Sequence, residues 1–377
     1  MRARLWLAAL VAPLTLLTSC GDGGAPTSGP SEPSSSAPTT TTSPSESPSE
    51  SASESASESP TQPTGSASSP VLGDLAWKDV PGSTQDETTV SGKWRLTRVK
   101  GGAEVDLAGP RPQSLSAPQG WTFSHALIDG FYAVAVAEQK LAEQPDRATV
   151  IDLRTGDQQT LDGGSTPPTT TGGSWTLTGG ILTHATRPGG DYCLAFVDLL
   201  AKRSDQGPCA GKRHGFSDVV TTPSSTTALT FDSGHPSCRT PALVSGTKFE
   251  PLPGVEKCKG FDSASTESGQ VWSVVPKEQR IEVAHFYADF GHGQVDLGPG
   301  TSGSLVWCGD AAYFTQDPQT SSDPARLIKA TVDGPQVVFE SQGTGNAFLG
   351  SPRCGGRDLT VSAYAEAGDQ QVVARVG

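Results

Sequence analysis

Apolar and polar residues alternate in short runs beyond Val71, and each run closes on a Gly, Asp or Pro turn. Alternation with period two over such lengths predicts strands with one face buried. Trp94-Arg95-Leu96-Thr97-Arg98-Val99 precedes Lys100-Gly101-Gly102, and Ala148-Thr149-Val150-Ile151-Asp152-Leu153 precedes Arg154-Thr155-Gly156. Further copies run over 194–199, 242–244, 283–287, 327–332 and 372–376, which gives seven strands of one kind. Each is preceded by another hairpin, as in Gly130-Phe131-Tyr132-Ala133-Val134-Ala135-Val136. Another is Leu305-Val306-Trp307, which turns through Gly309-Asp310 into Ala311-Ala312-Tyr313-Phe314.

Four short strands per unit of roughly 45 residues is the spacing of a β-propeller blade. The anchors Trp175, Phe216, Phe261, Leu305 and Phe348 lie 41 to 45 residues apart, and the step from Trp121 to Trp175 is longer. The fold class expected is therefore all-β, a propeller of seven blades with six as the alternative, divided near residues 74, 121, 173, 215, 259, 303 and 346. The first and last units read as abbreviated. The last owns three strands, and the segment near Leu75-Ala76-Trp77 is the candidate to complete its outer edge, which otherwise stays open. The Trp-Asp ending of WD repeats, the kelch Gly-Gly doublet and the sialidase Asp box do not recur.

The first 70 residues follow different rules. Arg2 and Arg4 precede an apolar run from Leu5 to Leu17, too short for a comfortable membrane span, and then Leu17-Thr18-Ser19-Cys20. These four residues resemble the bacterial lipobox. The resemblance implies a thioether-linked diacylglycerol on Cys20 and cleavage after Ser19, with a thiol required because sulfur is the nucleophile. Two acyl chains on one residue give stable anchorage. From Gly21 to about Pro70 the chain is Ser, Pro, Thr and Glu, with too little apolar surface to offset the entropy of ordering. A flexible tether of this length spans roughly 40 Å, and a polyproline-like one several times more. Its hydroxyls beside proline also fit O-glycosylation, and an unmodified spacer fits equally. The expected organisation is thus a signal peptide over 1–19, a disordered stalk over 20–73 and the propeller over 74–377. As a whole the chain resembles the propeller-like lipoproteins of high-GC Gram-positive bacteria. That likeness implies a location at the outer face of the cell membrane and carries no catalytic residues over.

Charge narrows the partners. The net charge is -13, and no Lys or Arg occurs between Arg4 and Lys78, whereas Asp22, Glu32, Glu46, Glu50, Glu54 and Glu58 do. The folded part is then only mildly acidic. No cluster of basic residues with interleaved aromatics accompanies it, so nucleic acid is not an expected partner.

Setting Cys20 aside leaves six cysteines, an even number that reads as three disulfides in an oxidising compartment. Equivalent places in the repeat pair Cys193 with Cys209 and Cys238 with Cys258 in adjacent blades, and Cys308 with Cys354 between the last two. The spacing fits no zinc site, and neither a metal nor another cofactor is expected.

The sequence holds no nucleophile elbow, zincin motif, phosphate loop or EF-hand. Asp289-Phe290-Gly291 spells a kinase motif in a hairpin turn without any companion motif. His125, His184, His214, His235, His285 and His292 are scattered, and His285, between Ala284 and Phe286, reads as a structural strand residue. Asp106, Asp152 and Asp198 occupy one repeat position and read as turn caps. The function expected is a monomeric, membrane-anchored binding or scaffold propeller engaging a protein or a cell-wall glycan. Its long loops, including Glu138 to Arg147 and Gln316 to Ala325, suit recognition. The alternative is a glycan-active hydrolase or lyase whose carboxylates converge near the channel.

Overall fold

The computed structural model describes residues 73, 75–141, 143–277 and 284–377. The expected signal peptide, Cys20 and almost all of the expected stalk lie outside these residues. What is described forms a seven-bladed β-propeller with no α-helix among the described residues. Blade 1 comprises Glu87–Ser91, Trp94–Arg98, Glu104–Ala108 and Gln113–Ser116. Blades 2 to 6 are equally four-stranded and antiparallel, and their first strands begin at Trp121, Trp175, His214, Gly260 and Val306. In blade 7 the first strand is broken into Phe348–Leu349 and Arg353–Cys354, followed by Asp358–Tyr364 and Gln370–Arg375.

The apolar alternation is explained by what lies on either side of each sheet. Tyr132–Gln139, the second strand of blade 2, is buried over six successive residues because neighbouring blades cover both faces. The core is accordingly a ring of layers between blades. Leu96 and Leu107 of blade 1 pack with Phe123 and Ala135 of blade 2, and Val134 and Val150 of blade 2 pack with Leu182 and Val197 of blade 3. Phe286 of blade 5 stacks on Phe314 of blade 6 at 4.0 Å. No blade buries its apolar surface alone, so stability arises from stacking around the ring.

Closure uses the segment read as its candidate. Lys78–Asp79 pairs antiparallel with Val373 and Val372, supplying the fourth strand of blade 7. Just before it, the Trp77 indole N–H donates to the Val338 carbonyl of blade 6 at 2.8 Å, and its ring meets Phe339 edge-on. Blade 7 is tied to blade 1 by the Val90 N–H donating to Thr360 Oγ1 and by the Gly92 N–H donating to Asp358 Oδ2. Gly355 is required at this seam, because a Cβ there would run into the Val90 carbonyl.

All three disulfides are present. Cys193 and Cys209 face each other across the third and fourth strands of blade 3. Cys238–Cys258 joins the third strand of blade 4 to the connection leading into blade 5, and Cys308–Cys354 links the first strands of blades 6 and 7.

Three sequence expectations need correction. Trp94–Arg98 is a second strand, not a third like the other six; the third strand of blade 1 is Glu104–Ala108. Its two exposed or half-buried carboxylates hid the alternation that Val105 and Leu107 supply. The first unit is also not abbreviated: it is complete from Glu87, and the chain before it belongs to blade 7. Finally, Asp106 does not act as Asp152 and Asp198 do. Asp152 and Asp198 accept the N–H groups of Arg154 and Ala201 in turns, whereas Asp106 accepts the Ser114 hydroxyl from the neighbouring strand.

Candidate functional site: the central channel

The first strands of the blades surround a cavity of about 1100 Å³. One mouth is built from the turns between first and second strands, where Gly92, Gly130, Gly179, Pro223, Gly309 and Gly356 lie on the wall. Small residues there let six turns converge without filling the opening. Phe131 stands on this rim, 42% exposed.

Charged groups enter the channel mainly from blades 7 and 1, on either side of the closing seam. Glu87, at the start of the first strand of blade 1, accepts from Arg98 at both Nε and Nη2, and Arg353 Nη2 of blade 7 lies 4.0 Å away. One carboxylate therefore faces two guanidiniums. Arg98 Nη1 also donates to the Phe123 carbonyl, extending the chain of contacts to blade 2. Burial lowers the Arg353 pKa, against the opposing pull of Glu87. At the mouth, Lys93, Arg357 and Arg375 are accompanied by Asp358, which Arg375 reaches at 3.6 Å. Among the described residues, no carboxylate pairs with Lys93 or Arg357.

Three polar atoms on this wall find no partner in the protein: the indole N–H of Trp307, Nη1 of Arg353 and the hydroxyl of Thr176. Trp307 and Arg353 hold matching positions, each immediately before one cysteine of the bridge between blades 6 and 7. All three atoms are buried beneath the wall surface, where a donor without an acceptor is costly.

The carboxylates on the wall, by contrast, are engaged. Asp129 accepts the N–H groups of Phe131 and Tyr132 through Oδ1 and that of Gly180 in blade 3 through Oδ2. Asp358 holds Gly92 and Arg375. The same use recurs away from the cavity. Asp262 of blade 5 accepts the Ser273 hydroxyl and the Gly303 N–H that leads into blade 6, and burial pushes its carboxyl up to about 6. Asp146 does likewise with Gly172 and the Trp175 indole, and burial again raises it to about 6. These aspartates are rivets between blades.

The histidines do not converge. His125 lies on the channel wall with Nδ1 against Ser124 Oγ, and burial lowers its pKa against the opposing pull of Glu138. His184 is buried, donates to the Ala185 carbonyl through one assignment of its ring, and stacks on Trp175. His285 pairs with Asp296 at 2.6 Å on the adjacent strand, the structural role its setting predicts. His214 and His235 begin two strands of blade 4, and His292 sits in the turn after Asp289-Phe290-Gly291. Among the described residues, no group of three His, Cys, Asp or Glu side chains is arranged to hold a metal ion. The basic residues of the channel escaped sequence reasoning because Lys93 of blade 1 lies 260 or more positions before Arg353, Arg357 and Arg375 of blade 7, and these three sit on different strands and turns of that blade. The one available signal was the matched Trp307-Cys308-Gly309 and Arg353-Cys354-Gly355 triplets.

No protein-family model matches the sequence, and no curated protein does. Solved structures do resemble its fold. The β-propeller domain of the Trilobed protease from Pyrococcus furiosus, described as having an open velcro topology, matches with a TM-score of 0.54 at 9% identity. The match covers 77% of this chain and 95% of that one. One of two prolyl endopeptidases studied for inter-domain dynamics matches with a TM-score of 0.52 at 10% identity, over 76% of this chain and 46% of its own. Both likenesses concern the propeller architecture alone.

Proposed function

We propose that this chain is a lipid-anchored, extracytoplasmic binding protein whose propeller takes part of a ligand, a protein segment or a cell-wall glycan, into its central channel. The observation that carries this reading is the channel wall itself: about 1100 Å³ of space lined by six blades, with Lys93 and Arg357 on the wall unpaired with any described carboxylate. A rigid ring with a few convergent polar groups is a suitable recognition site. The wall carboxylates Glu87, Asp129 and Asp358 already hold guanidiniums and backbone N–H groups. Acid/base hydrolysis would ask two of them to give up those partners. This weighs against the glycan-active alternative.

The anchoring half rests on the lipobox at Leu17-Thr18-Ser19-Cys20 and the Ser/Pro/Thr/Glu segment after it, which would hold the propeller away from the bilayer. These features support the likeness to lipoproteins of the high-GC Gram-positive type. Replacing Cys20 with Ala is expected to move the protein from the membrane fraction to the soluble fraction, because a single uncleaved apolar run lacks the acyl chains. Fractionation of cells expressing each form, followed by mass analysis of the N-terminal peptide, checks this. Undiminished membrane partition of the variant would refute lipid attachment at this residue.

A further inference from the structure

The exposed charges at the channel mouth share a chemical character. Lys93 and Arg357 line the cavity with no carboxylate partner among the described residues, and Arg375 shares Asp358 with a backbone N–H. Glu87, the acid between the two inner guanidiniums, is already bound at both oxygens by Arg98. Counting the wall of this cavity, four basic residues (Lys93, Arg353, Arg357, Arg375) stand against three acidic ones (Glu87, Asp129, Asp358). Two of those three acids have backbone donors as well. In a chain of net charge -13 this is a local reversal of sign.

Low-dielectric walls concentrate such a field inside a cleft. A neutral ligand would leave the charges of Arg357 and Lys93 unused, and a cation would be repelled by them. An oxyanion meets the requirement: its oxygens accept from the exposed guanidinium and ammonium groups of Arg357 and Lys93, which also balance its charge. We propose that the channel is a receptor for an oxyanion, a carboxylate or phosphate group carried by the ligand, admitted through the mouth formed by the first turns. Lys93, Arg357 and Arg375 draw it in and donate to it at the mouth. The proposal rests on the reading of the channel as the binding site and specifies what it recognises.

Titration calorimetry on the full chain in non-ionic detergent tests this with three probes: inorganic phosphate, citrate and the neutral sugar maltotriose. Saturable binding of phosphate, of citrate or of both is expected, and it distinguishes a phosphate-bearing from a carboxylate-bearing ligand. Two variants accompany the parent. Lys93→Gln and Arg357→Gln each remove an exposed charge that makes no ion pair with a described carboxylate. Each is expected to weaken anion binding about tenfold, the effect of losing one hydrogen bond to a charged group. Absence of binding to both anions, or binding that survives either variant at full strength, overturns the proposal. Saturable maltotriose binding with no anion binding would also overturn it while leaving the channel a binding site. A channel that holds no ligand of any kind would count against the broader reading.

Discussion

Replacing Cys308 and Cys354 together with alanine is expected to destabilise the propeller by about 4 kcal/mol, the largest loss among its three bridges. The chain-entropy view of a cross-link makes its contribution grow with the closed loop. This pair encloses a separation of 46 residues, against 16 for Cys193–Cys209 and 20 for Cys238–Cys258, for which about 3 kcal/mol each is expected. Position adds to the effect. The larger loop joins two blades across the channel wall, whereas Cys193–Cys209 reinforces two strands already paired in one sheet. Denaturant titration of the double variants measures this directly. Equal losses for the long and short loops would show that the bridges act through local strain relief rather than through the unfolded chain.

The second large effect is a dependence of stability on pH that runs opposite to ordinary acid denaturation. Asp262 is fully buried and its carboxyl is raised from 3.8 to about 6 by that burial, opposed by Ser273, Gly303 and Leu305. The native state therefore holds a proton here that the unfolded state releases between those two values. Stability from this group is lowest above pH 6 and rises as pH falls toward 3.8. Linkage gives a gain of about 1 kcal/mol on going from pH 7.5 to 5, and about 2 kcal/mol by pH 4. Asp262→Asn mimics the protonated form, because its amide oxygen can still accept from Gly303. The difference in unfolding free energy between wild type and variant should move in favour of the wild type by those amounts as pH is lowered. A difference that stays constant from pH 7.5 to 4 would contradict the burial of this carboxylate between blades 5 and 6. Asp152, held low chiefly by Arg154, moves total stability in the other direction, so the comparison with the variant is what isolates Asp262.

The blade period was legible because every second and third strand must be apolar on faces that neighbours cover, and six first strands begin within three residues of the divisions read from the sequence. Cysteine pairing was legible from the repeat: Cys193–Cys209 and Cys238–Cys258 hold equivalent places within adjacent units, and Cys308 and Cys354 hold equivalent places in successive blades that lie side by side. Blade 1 was misread because its third strand, Glu104–Ala108, is half polar and because Trp94 imitates the start of such a strand. The need for a closing strand could be inferred from a missing fourth strand at the C-terminal end, and Lys78–Asp79 meets it. The channel was not legible. A propeller assembles its centre from one or two residues per blade, so Glu87, Arg353 and Arg357 carry no local pattern, and pairing of Glu87 with Arg98 becomes visible only across two strands.

The central claim is that a ligand is recognised inside the ring. The most direct measurement is photo-crosslinking in intact cells, with a photoreactive phenylalanine analogue placed at Phe131 on the rim of the channel mouth and, for comparison, at Val332 on an outer turn of blade 6, which is 60% exposed. Capture of a cell-surface ligand from position 131, displaced by excess phosphate or citrate and absent from position 332, is the result this account predicts. Capture from position 332 with none from position 131 would place recognition on the outer surface and contradict it.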